Sequence, residues 1–168
     1  MKRVCAWVGL GLVGACAEPA TFEELDPAIK EASAAGTNLN VVAQIGLVTD
    51  GTLGMTQVGD LVGTIAGGVQ SNLPGPTAET QHLQLQLHFD STDRLGNEGF
   101  VDFGTIRFPM SELRSAKLEN LAGTELLELA DSVSPSEASD IAINYCSDPQ
   151  NFQINPRWCA TVAEGFGL

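Results

Sequence analysis

The sequence predicts an α+β domain: an antiparallel β-hairpin or small sheet covered by helices, with a disulfide-stapled helical C-terminus. Three observations predict it. Between Gln81 and Asp90, Leu83, Leu85, Leu87 and Phe89 alternate with His82, Gln84, Gln86, His88 and Asp90, the period-two pattern of a half-buried strand. Upstream, Met55, Val58, Leu61, Val62, Ile65 and Val69 fall on one stripe at helical spacing. Downstream, cap-and-proline signals at Ser134-Pro135 and Asn155-Pro156 mark helix starts around Cys146 and Cys159.

Taken in order, the chain opens with Lys2 and Arg3, then an uncharged apolar run from Val4 to Gly14. A run this short falls well below the roughly 20 residues needed to span a bilayer, and its layout is that of a secretory signal peptide. Val13-Gly14-Ala15-Cys16 resembles the lipobox of bacterial lipoprotein precursors: an aliphatic residue, two small residues and a cysteine. The resemblance implies that Cys16 is lipidated on sulfur and becomes the first residue of the mature chain. It also implies sorting to the outer membrane, because Ala17 rather than an Asp follows the cysteine. Ala15-Cys16-Ala17 also satisfies the rule for ordinary signal peptidase, with cleavage before Glu18 and a periplasmic or secreted product. The expected division is a signal peptide at 1–15, an attachment point with a tether or short helix at 16–38, and one globular domain at 39–168.

The whole chain has a formal net charge of −13 from 8 basic and 21 acidic residues. A phosphate backbone needs a basic footprint, so nucleic acid is not an expected partner. Anionic headgroups are disfavoured too, which leaves a lipid anchor as the route to the membrane and an envelope protein as the expected soluble partner. Cys5 leaves with the leader and Cys16 is lipidated or cut away. Cys146 and Cys159 then remain in a compartment that permits a disulfide, and closing the loop Ser147 to Trp158 constrains the unfolded chain by about 3 kcal/mol.

Thr21 to Ala35 reads as a short helix, with Thr21 and Glu24 at capping-box spacing and Phe22, Leu25 and Ile29 recurring at three and four residues. Pro27 lies within it, so the helix can start there with Asp26 as cap. Val41, Ala43, Ile45 and Leu47 alternate like a strand, and Asp50-Gly51 is a hairpin-turn dipeptide. The stripe that follows carries Gly59, Gly63 and Gly67, which fits a Gly-tolerant core helix or a glycine-rich β-segment. Their four-residue spacing resembles the glycine zipper of some small outer-membrane lipoproteins. After the strand 81–90, Ser91 to Gly99 is a turn region and Phe100 to Phe108 the returning strand. From Ser111 onward the chain reads as helical: a loose stripe up to Gly123, a second helix over Thr124 to Val133, a third opened by Ser134-Pro135-Ser136-Glu137 and running to Cys146, and a last one after Asn155-Pro156.

No nucleophile elbow, P-loop, dinucleotide fingerprint or H-E-x-x-H is present, and the chain holds two histidines and one tyrosine. No cofactor is expected. The candidate chemistry is His88 and Asp90, roughly 7 Å apart on the wet strand face, joined by Asp93 and Glu98 from the adjoining turn. His82 shares that face but lies about 20 Å along it. No metal is expected to be held stoichiometrically; the turn, rich in acids but without His or Cys, suits calcium better than zinc. The expected function is that of a lipid-anchored, non-enzymatic envelope protein with a binding or structural role. The alternative is a small exported hydrolytic or metal-dependent enzyme using His88 and its acids.

Overall fold

The computed structural model describes residues 21–46, 50–121, 123–138 and 140–168. The leader, Cys16 and the strand position Leu47 lie outside the described residues. The fold is α+β: five strands in spatial order β1-β2-β3-β4-β5, with helices packed on one face.

β1 (Ile29–Ala35) and β2 (Asn38–Ile45) form an antiparallel hairpin, and β2 runs parallel to β3 (His82–Thr92), from Leu39 beside Leu83 to Ile45 beside Phe89. Parallel neighbours need a crossover. It is supplied by α1 (Gly51–Gln70). β3 and β4 (Glu98–Pro109) make the expected hairpin, and the four-residue β5 (Ser132–Pro135) closes the other edge. One core joins Val41, Ala43, Leu85 and Leu87 of the sheet to Met55, Val58, Val62 and Ile65 of α1, all fully buried.

The glycine-bearing stripe is therefore a helix, and Asp50-Gly51 is its start rather than a hairpin turn. The Asp50 carboxylate accepts the Leu53 amide at 2.7 Å, the ordinary service of an N-cap aspartate. A Cβ on Gly59 would collide with the Gly123 carbonyl group, and one on Gly63 would meet Leu126 Cδ1 at 2.8 Å. The ridge lets a 3-10 segment, Gly123–Leu129, lie close against α1 inside the same domain.

Three further expectations are corrected. Thr21 to Ala35 is not a helix: Asp26 accepts the Ala28 amide at 2.8 Å around Pro27, and the chain then extends as β1. Only Ile29 of β1 is buried, so no apolar stripe rewards a helix there, while pairing with β2 satisfies its backbone. The sheet thus begins upstream of residue 39. Thr124 to Val133 divides into the 3-10 segment and the start of β5. Ser134-Pro135 likewise belongs to β5 and opens no helix. Proline's missing donor is harmless on an edge strand, and Gly104, at φ +113, leaves the room that Ser134 and Pro135 occupy.

After α2 (Met110–Ser115), the C-terminal helices are α3 (Asp140–Ser147), α4 (Pro149–Ile154) and α5 (Pro156–Phe166). Cys146 and Cys159 form the expected disulfide, with Cα atoms 5.4 Å apart, tying α3 to α5 across α4. Asn155 stands at the N-cap of α5, but its side chain does not cap the helix. It is fully buried, accepting the Tyr145 hydroxyl at 2.6 Å and donating to the Thr124 carbonyl at 2.9 Å. The free amides of α5 go instead to Glu128, whose carboxylate takes Trp158 N at 2.9 Å and Arg157 N at 3.3 Å. A negative group suits a helix start.

Candidate functional site on the open sheet face

The helices take up the inward side chains of β2, β3 and β4, which leaves the outward ones at solvent. Val42 and Gln44 of β2, and His82, Gln84, Gln86, His88 and Asp90 of β3, share that outer face, with Gln86 exposed and the others half-buried. The alternation predicted for residues 81–90 holds throughout.

β4 reaches this face through a bulge. Leu87 pairs with Gly104 but His88 pairs with Asp102, so Phe103 is the extra residue. Phe103 and Gly104 are both buried, and the parity of β4 changes between them. As a result Asp102 and Phe100 stand on the open face beside His88 and Asp90. The Asp102 carboxylate accepts the Gly104 amide at 3.0 Å, holding the bulge. Its Oδ1 lies 3.7 Å from His88 Nδ1, an ion-pair distance for a protonated ring and too long for a good hydrogen bond. The His88 ring packs edge-on to Phe100 at 4.8 Å between centroids and 62° between planes, and His88 Nδ1 has no hydrogen-bond partner. Gln44 Nε2 donates to Asp90 Oδ1, bridging β2 to β3.

Of the four candidate residues, Asp90 and Glu98 line one shallow groove with Gln44, Thr92 and Phe100. His88 stands next to that groove behind Phe100. Asp93 does not join them. Its carboxylate accepts the amides of Leu95 and Asn97 at 2.8 and 2.9 Å and the Asn97 side chain at 2.7 Å, which fixes the turn. Those bonds hold its carboxyl below the usual aspartate value, the Asn97 side chain contributing most. His82 pairs with Pro109 at the other end of the strand. Among the described residues, no three His, Cys, Asp or Glu side chains come together in a way that could hold a metal ion. No described helix is long and apolar enough to cross a membrane.

Gln44, Phe100 and Asp102 are site residues the sequence reading did not reach. A signal existed for two of them: period two from Phe100 puts Phe100 and Asp102 on one face. What hid their place beside His88 was the bulge, marked in the sequence only by Gly104.

Comparison with protein-family models, with curated proteins and with solved structures finds no match.

Proposed function

We propose that this protein is a lipid-anchored component of a bacterial cell envelope, held at the membrane through Cys16 and acting by binding rather than by catalysis. The observation that carries the reading is Val13-Gly14-Ala15-Cys16 behind a short charged start and an apolar run. Ala17 favours the outer membrane. The Cys146–Cys159 bond supports export, since disulfides persist in oxidising compartments. The open face supports binding: Asp90 and Glu98 line a shallow groove there, and His88, 3.7 Å from Asp102, stands beside that groove behind Phe100 rather than within it.

Mass spectrometry of the mature amino terminus tests the proposal. The expected result is a chain beginning at Cys16 with acyl mass on that residue, and release of a Cys16→Ala variant from the membrane fraction. A free amino terminus at Glu18 in the wild-type protein refutes it.

A further inference from the structure

The groove at the far end of the β3–β4 hairpin has a composition that a merely solvated surface does not require. Phe100 is 60% exposed, the most exposed phenylalanine of the sheet, and its ring is steadied by His88. Asp90 faces it across the ladder, and Glu98 and Asp102 flank it two residues away on its own strand and face. One exposed phenyl ring is thus framed by three carboxylates. Between His88 and Asp102 the chain carries four acids against the single base Arg94, which sits in the turn, and no basic residue lines the groove. Arg107, farther along β4, is committed to Asp131 at 2.8 Å.

We propose that this groove binds a lysine or arginine side chain of a basic polypeptide partner. The aliphatic stem of such a residue covers the Phe100 ring, and the cationic head meets both the negative face of the ring and the surrounding carboxylates. A bare metal ion does not fit the same surface, because a phenyl ring offers a hard cation no ligand and, among the described residues, no three His, Cys, Asp or Glu side chains are arranged to hold one. Asp90 is pre-positioned by Gln44 and Asp102 by the Gly104 amide, so two of the three carboxylates need little ordering on binding. The proposal names the partner class for the binding role above, and it holds or fails independently of how the amino terminus is processed.

The test is fluorescence anisotropy of a dye-labelled peptide alternating arginine and glycine, titrated with the exported protein at about 150 mM salt, where long-range attraction is screened. Phe100→Ala and Asp90→Asn are each expected to weaken binding about tenfold, and Glu98→Gln less. Glu119→Gln, on the exposed helical side, removes the same charge and is expected to leave binding unchanged. Phe100→Leu, which keeps an apolar side chain and removes the ring, guards against a folding defect and is expected to weaken binding as well. Circular dichroism confirms the fold of each variant. Wild-type affinity in Phe100→Ala, or equal losses in Glu119→Gln and Asp90→Asn, would overturn the site in favour of diffuse attraction to an acidic protein. Competition by free putrescine as strong as that of the peptide would overturn the polypeptide occupant.

Discussion

The three glycines spaced four apart on α1 meet three different surroundings, and that difference can be measured. Alanine in place of glycine inside a helix gains about 1 kcal/mol from backbone entropy alone. At Gly67 the nearest atom to an added Cβ is Leu118 Cδ1 at 3.9 Å, an ordinary contact, so Gly67→Ala should stabilise by about 0.5–1 kcal/mol. At Gly63 the Cβ meets the end of the Leu126 side chain at 2.8 Å. A rotamer change relieves that clash, and the propensity gain offsets it, leaving a net effect of about zero. At Gly59 the Cβ would sit inside the Gly123 carbonyl group, with Thr124 N at 3.0 Å. Backbone cannot rotate away, so the 3-10 segment must lift off α1. Overpacking of this kind costs about 3 kcal/mol, and after the propensity gain Gly59→Ala should lose about 2 kcal/mol. Urea denaturation with unchanged m-values reads all three. A Gly59→Ala protein as stable as wild type would refute the packing argument. Equal effects at all three positions, accompanied by a change of molecular mass in solution, would restore the zipper as a contact between chains.

Two other outcomes follow from the C-terminal helices. Reduction of Cys146–Cys159, or its replacement by two serines, should lower stability by about 2–5 kcal/mol, and denatured but unreduced exported protein should show no alkylatable thiol. Tyr145 is the single tyrosine, so absorbance near 295 nm reports it alone. Burial, reinforced by the charges of Glu128 and Asp148, pushes its phenol above the ordinary value despite an opposing Thr124 hydrogen bond. A raised value means the stability it contributes is complete below the unfolded pKa of about 10 and is lost as pH rises through the folded one. Ionisation should therefore coincide with loss of structure in strong alkali, and Tyr145→Phe should flatten that pH dependence while costing about 1–3 kcal/mol at neutral pH for the unpaired Asn155 oxygen. Titration of Tyr145 near 10 with the fold intact would contradict the burial argument.

What could be read from the chain was whatever a single element records in its own residues. Leu83 to Phe89 and the stripe from Met55 to Val69 each announce a period, and each became the element that period demands. β1 and β5 carry no such record. Ile29 is the one buried residue of β1, and Ser132–Pro135 is too short for a pattern and contains a helix-start signal. Both strands exist because a neighbour offers hydrogen bonds: β2 to β1, and the bulged β4 to β5. The same holds at the site. His88 and Asp90 were visible as neighbours on one strand, whereas Asp102 and Phe100 join them through a register set by Gly104.

The packing contact of Phe22 and the groove lie at opposite ends of the sheet. Phe22 packs by Gly68 and Gly75, close to Leu39, where β2 and β3 begin, while Gln44 and Asp90 mark where those strands finish. From Leu83 to Asp90 the strand rise amounts to about 23 Å. Under the anchorage proposed at Cys16, that separation would make the domain a stand-off, with the acidic groove at the end of the sheet away from Phe22.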